Sequence, residues 1–221
     1  MVIELGNFKK KNFDINRFST IIFDLDNTLY NEIDYLKFAY KDISKKIVTK
    51  NNNLNTNDIF EYLLNTFVND GRGNLYQKLI KNFNIKNFAL DDFLYSLRYV
   101  KIKENSIKIN QILERFIEQN IKNFNFCIAT NGDPQQQRNK LKSINLPYKE
   151  KFFVVYCNEL GKNKNKPSPA FINNILQEFD VNKNQLLFVG DSEIDEQAAI
   201  NGNIYFILIN DFISFLKKEF K

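Results

Sequence analysis

Five short apolar runs, each closed by polar or turn-forming positions, punctuate the chain: Thr20–Phe23, Phe126–Ala129, Phe152–Tyr156, Leu186–Val189 and Ile204–Ile209. They are nearly continuous rather than alternating, the pattern of strands covered on both faces in a parallel sheet. From Phe126 onward they alternate with helical patterns that carry start and stop signals. Asp133-Pro134 and Ser168-Pro169 each set a capping side chain before a proline at the first helical position. Gly202 follows "DEQAAIN" as a left-handed stop, and Asp211 precedes "FISFLKKEF" as a cap. This alternation predicts an α/β fold built on a doubly wound parallel sheet.

Between residues 31 and 124 the pattern changes. A crossover between parallel strands needs only about a dozen residues, so something is inserted here. The segments "EIDYLKFAYKDISKKIV", "NDIFEYLLNTFV", "NLYQKLIKNF", "LDDFLYSLRYV" and "INQILERFIEQN" carry apolar positions at three- and four-residue spacing. They predict an α-helical cap over residues 31–115, inserted into a core made of residues 1–30 and 116–221, with "ERFIEQNI" returning the chain to the sheet. The stretch "NNNLNTN" is a polar loop, and the aromatic residues Tyr35, Phe38 and Tyr40 suit helix packing better than pocket lining.

Composition narrows the chemistry. The 221 residues, 43% of them hydrophobic and with 22 phenylalanines, suffice for a well-filled, largely aromatic core. The net charge of +5 comes from lysines spread along the chain, which fits solvated helix faces rather than a nucleic-acid surface. Cys127 and Cys157 lie in or at the end of apolar runs without CxxC spacing, so they are expected to be buried free thiols. The N-terminal stretch "MVIELGNFKKKNFDINRF" has no apolar signal region and no segment is long enough to cross a bilayer, so a cytoplasmic protein without membrane partners is expected. The chain has no histidine, which excludes Ser-His-Asp and Cys-His catalysis and HExxH zinc sites.

In an open α/β sheet, ligands bind in the crevice beyond the carboxyl ends of the strands. Asp24, Asp26 and Thr28 follow the first apolar run, Thr130 and Asn131 the second, and Asp191 and Asp195 the fourth; Lys166 lies between the third run and its following helix. Residues i and i+2 of an extended chain project to one side, so Asp24 and Asp26 are expected to converge on one pocket while Leu25 points into the core. A carboxylate can attack phosphorus only when repulsion from the phosphate dianion is relieved, and a hard divalent cation held by oxygens does this well. Asp191 and Asp195 offer further oxygens for such a cation, and Lys166 adds a fixed positive charge. One aspartate then acts as nucleophile. The other protonates the leaving alkoxide and later deprotonates the water that opens an aspartyl phosphate. Thr130 and Asn131 offer a hydroxyl and amide donors to the phosphoryl oxygens. Lys166 is preferred over Lys162 and Lys164 because Pro167 and the Ser168-Pro169 helix start hold its backbone.

These residues resemble the four motifs of the haloacid dehalogenase superfamily: "FDLDNTLY", "ATNG", "KPSPAFI" and "VGDSEIDEQAA", in that order. The resemblance implies a Rossmann-like core with a helical cap of the first subclass and Mg²⁺ as cofactor. It implies Asp24 as nucleophile and Asp26 as acid–base. Asp24, Asp191 and the Asp26 carbonyl would hold the metal, with Asp195 as a further ligand or a support for the ligands. Thr28 would orient the loop, and Thr130, Asn131 and Lys166 would bind phosphate. Tyr30, Asn31 and Glu32 fall where the family places the flexible entry to the cap, which implies a hinge or a substrate contact rather than core, and Asn27 departs from the family's usual aspartate or glycine. The implied activity is hydrolysis of a small phosphorylated metabolite, a sugar phosphate or nucleoside monophosphate. A phosphomutase of the same fold and an inactive binding module are the alternatives. Asp26 argues against halide removal, which needs only the first aspartate. The pattern assigns neither a particular substrate nor an oligomeric state.

Overall fold

The computed structural model describes residues 13–219. Among them a five-stranded sheet is formed by β1 (Thr20–Phe23), β3 (Asn125–Thr130), β5 (Phe153–Tyr156), β6 (Leu186–Gly190) and β7 (Tyr205–Leu208), all parallel, in the order β5-β3-β1-β6-β7. The chain starts in the middle strand, runs out to one edge and crosses back to the other side. The point where the winding reverses therefore lies between β1 and β6, where Phe23 pairs with Val189. A second, two-stranded parallel sheet joins β2 (Ile107–Lys108) to β4 (Ile144–Asn145).

Both faces of the main sheet are covered, as the continuous apolar runs require. Ile21, Phe23, Phe126, Ile128, Leu187 and Val189 pack toward α5 (Gln111–Asn120) and α9 (Ile209–Glu219). The intervening residues Ile22, Cys127, Ala129, Leu186 and Phe188 pack toward α7 (Ala170–Phe179) and α8 (Glu193–Gly202). Phenylalanine carries much of the first layer: Phe116 meets Phe212 and Phe126 edge-on, at centroid distances of 5.5 and 6.1 Å. Cys127 and Cys157 are buried and free.

Between β1 and β2 lie α1 (Glu32–Lys50), α2 (Thr56–Asp70), α3 (Leu75–Phe83) and α4 (Leu90–Tyr99). Their buried faces belong to one apolar cluster that continues into the sheet layer. Helix α4 packs on both α1 and α6 (Pro134–Ser143), and Asn139 of α6 donates to the carbonyls of Arg98 and Val100 at 3.3 and 2.9 Å. Arg98 also pairs with Asp133 at 2.9 Å. The inserted helices are thus tied to the helix that follows the second motif.

Three local expectations are corrected. Asp133 caps α6 through the Gln136 amide at 3.0 Å, but Ser168 makes no capping bond, and α7 starts after Pro169. The left-handed stop after α8 is Asn203, at φ 54°, because Gly202 is spent on close approach: a Cβ there would collide with Ile172. Ile209 begins the final helix instead of ending a strand, which places Asp211 in its first turn and not at its cap. The N-terminal stretch through Asn12, on which the absence of a signal region was judged, lies outside the described residues, as does Phe220. No described helix is long and apolar enough to cross a membrane.

Phe116 is 1% exposed and anchors α5 to the sheet. Phe116→Ala is expected to destabilise the fold by about 3–5 kcal/mol, measured as a shift in the urea midpoint with an unchanged slope.

Candidate active site

The crevice at the carboxyl ends of β1, β3 and β6 encloses about 210 Å³. Asp24, Asp26, Thr130, Asn131, Lys166, Asp191 and Asp195 all line it, joined by Glu32 and Arg72 from the inserted segment.

Asp24 continues β1, and its amide donates to the Val189 carbonyl at 2.9 Å, so its backbone is fixed by the neighbouring strand. The side chain is buried, and one oxygen accepts from Lys166 Nζ at 2.6 Å. Burial raises its pKa to about 7; the Lys166 charge opposes the rise, and Asp195 and Asp26 add to it.

Lys166 sits 3% exposed, with Nζ donating to Asp24 and Asp195, both at 2.6 Å, and to the Ala129 carbonyl at 2.9 Å. Its main chain is clasped by Asn131, which accepts from the Lys166 amide and donates to the Lys166 carbonyl, each at 2.9 Å. Burial alone would lower the ammonium pKa, but Asp24 and Asp195 outweigh it and push it up. Lys162 and Lys164 are exposed. The Asn131 side-chain amide, expected to face phosphate, is therefore engaged in holding Lys166.

Asp195 is buried in the first turn of α8. It forms a capping box with Ser192, whose hydroxyl donates to it at 2.6 Å. Gly190 makes room for it, since a Cβ there would stand 2.6 Å from the Asp195 Cβ. Asp191 opens to solvent at the mouth of the crevice, where partial burial and then the Asp195 charge raise it to about 6.

Asp26 lines the same cavity but has different partners. Tyr30 donates to one oxygen at 2.7 Å, while Gln137 and Lys140 donate to the other at 3.0 and 2.7 Å. Burial would raise its pKa, but Lys140, with the Gln137 and Tyr30 hydrogen bonds, outweighs it and holds the carboxyl below its ordinary range. Between the two aspartates, Leu25 is fully buried in the core. Asn27 follows in the left-handed conformation at φ 57°, which asparagine tolerates, and its side chain accepts from the Glu32 amide at 3.1 Å at the start of α1. Thr130 accepts from Gln137 at 2.7 Å. Thr28 is buried, with no hydrogen-bond partner for its hydroxyl.

Tyr30, expected at a hinge or substrate contact, instead packs in the core, as do Tyr35 and Tyr40; Phe38 is exposed, and none of these four lines the crevice. Three residues of this neighbourhood escaped the motif reading, Arg72, Gln137 and Lys140, while Glu32, read at the entry to the cap, does line the crevice. Arg72, between Gly71 and Gly73, pairs with Glu32 and stands 3.9 Å from Asp26. The available signal was in α6, where Gln137, Lys140 and Leu141 share the three- and four-residue spacing of a buried face.

Among the described residues, one carboxylate oxygen each from Asp24, Asp191 and Asp195 lies within 4.8 Å of the others. All three donors are hard anionic oxygens and one opens to water, which suits a hard divalent cation such as Mg²⁺.

The comparisons agree with this architecture. Residues 21–209 match the family model of haloacid dehalogenase-like hydrolases, and the chain belongs to that family. No curated protein matches it in sequence. A candidate β-phosphoglucomutase from Thermotoga maritima superposes with a TM-score of 0.60 at 16% identity, covering 91% of this chain and 99% of its own. The candidate HAD-hydrolase YfnB from Bacillus subtilis, bound to magnesium, gives a TM-score of 0.59 at 18% identity and 86% coverage of each chain. A predicted phosphoglycolate phosphatase from Haemophilus somnus 129PT gives 0.55 at 20% identity, covering 86% of this chain and 84% of its own. At these identities the likeness is one of fold.

Removing the central cation leaves two buried carboxylates facing each other. Lys166→Met is expected to cost about 3–5 kcal/mol in urea unfolding. An unchanged midpoint would show that the pairing contributes nothing to the fold.

Proposed function

We propose that this chain is a Mg²⁺-dependent phosphomonoesterase that hydrolyses a small phosphorylated metabolite through an aspartyl phosphate at Asp24. The observation that carries the reading is the convergence of Asp24, Asp191 and Asp195 oxygens beside the Lys166 ammonium, at the point where the sheet winding reverses. The named phosphatase and mutase among the structural neighbours act on small phosphate esters by their names, and support the same class.

In this reading Asp24 attacks phosphorus and the ester oxygen departs. Asp24 and Asp191, with the Asp26 carbonyl, would hold the metal, and Asp195 supports them or adds a ligand. When bound, the cation offsets the phosphate charge and favours the ionised form of Asp24. Lys166 and Thr130 face the phosphoryl oxygens, whose charge is spread in the transition state. Asp26, held as a carboxylate before substrate binds, takes up a proton as the phosphate ester enters and gives it to the leaving oxygen; it then takes one from the water that attacks the acyl phosphate, which leaves it protonated for the next turnover. The helices between residues 31 and 115 form the cap, and the leaving group would lie between them and the core, where Arg72 and Glu32 border the cavity.

The test is Mg²⁺-dependent phosphate release from sugar phosphates, nucleoside monophosphates and small acid phosphates, with Asp24→Asn as the blank. Turnover abolished in the variant and by chelator is expected. Release that survives Asp24→Asn would refute the assigned nucleophile, and accumulation of an isomeric phosphate in place of free phosphate would mark a mutase.

A further inference from the structure

Lys140 is fully buried on α6, yet it carries a charge and belongs to none of the motifs that define the family site. An ionised ammonium out of water costs several kcal/mol unless its partners are well placed. Nζ donates to Asp26 at 2.7 Å and to Glu32 at 2.6 Å, and it lies 5.6 Å from the Tyr35 ring centre. Gln137, one turn earlier on the same helix face, donates to the same Asp26 oxygen and to Thr130. Tyr30 takes the other oxygen. Three side chains from two directions thus fix the carboxylate in one orientation.

Position matters more for a proton-transferring carboxylate than for a structural one, because small misplacements are costly in rate. The support is itself braced: Asp133 caps α6, and Arg98 of α4 holds Asp133. Glu32, the second partner of Lys140, is the first residue of α1 and also pairs with Arg72, in the loop between α2 and α3. The ion pairs Asp26–Lys140–Glu32–Arg72, closed by Arg72 standing 3.9 Å from Asp26, therefore join the inserted segment to the second aspartate of the motif.

We propose that Lys140, with Gln137, is a positioning residue that orients Asp26 for proton transfer and links that orientation to the inserted helices through Glu32. This rests on the reading of Asp26 as the acid–base of an Asp24-dependent phosphatase. A leaving group that departs as a stable phenolate needs no acid, whereas an alkoxide does. Loss of orientation should therefore separate the two in the first turnover.

The experiment compares rapid-quench single turnovers of p-nitrophenyl phosphate and of an alkyl phosphate turned over by the wild type. The variants are Lys140→Gln, Lys140→Arg and the charge-neutral pair Lys140→Gln with Glu32→Gln. The pair keeps the test open if the single variant does not fold. The expected result is a first turnover slowed about 100-fold for the alkyl ester and less than about 3-fold for the aryl ester, with partial recovery in Lys140→Arg. Equal loss on both esters, or no loss on either, in the folded variants would overturn the positioning role alone. Wild-type turnover that does not depend on Asp24 would overturn the phosphatase reading and this proposal together.

Discussion

One buried ammonium organises the carboxyl end of the sheet. Lys166 lies between Asp24, at the end of β1, and Asp195, in the first turn of α8, and its third bond goes to the Ala129 carbonyl near the end of β3. Without it two buried carboxylates would face each other, a situation that proteins avoid by protonation or by unfolding. Its own backbone is held by the paired hydrogen bonds of Asn131. The absence of a side chain at Gly190 leaves the space that Asp195 occupies. Strand ends, loop and helix start are thus parts of one electrostatic arrangement.

That arrangement separates two aspartates only two residues apart. Asp24 faces Lys166, and burial still raises it to about 7; at Asp26 burial is outweighed by Lys140 and two further donors. The two proton affinities run opposite to the assigned roles, so those roles require a cation at Asp24 to ionise it and a bound phosphate ester to bring the proton that Asp26 gives. The left-handed turn at Asn27 makes the division possible, because it swings the chain away from the sheet directly after Asp26 and hands it to α1.

Much of this was legible in the sequence, for identifiable reasons. Strands buried on both faces read as continuous apolar runs, so all five strands of the main sheet were visible, with errors confined to their ends. A strand-end carboxylate alone is usually an ordinary turn residue; these became telling because four strand ends carry polar groups of matching type in one order. The site residues that escaped notice lie elsewhere. Lys140 and Gln137 sit in "PQQQRNKLKS", whose buried face is spaced as in a helix but is almost entirely polar; their burial follows from α4 packing on α6 and from Glu32 and Tyr35 of α1 reaching Lys140. Arg72 lies in a short glycine-flanked loop between α2 and α3, and nothing in its local sequence points to Glu32 or Asp26 as its partners. Gly202 and Asn203 exchanged roles because close approach to Ile172 is a tertiary fact. Local pattern reports what a residue prefers; it is silent on which distant element will cover it.

The claim at the centre of this account is that Asp24 bonds to phosphorus. The most direct measurement is borohydride reduction of enzyme quenched during turnover, followed by peptide mass analysis, because an acyl phosphate is reduced to the alcohol while a free carboxylate is not. The account predicts homoserine at position 24, dependent on both substrate and Mg²⁺. Turnover with position 24 unreduced, or with the reduced residue elsewhere, would contradict it.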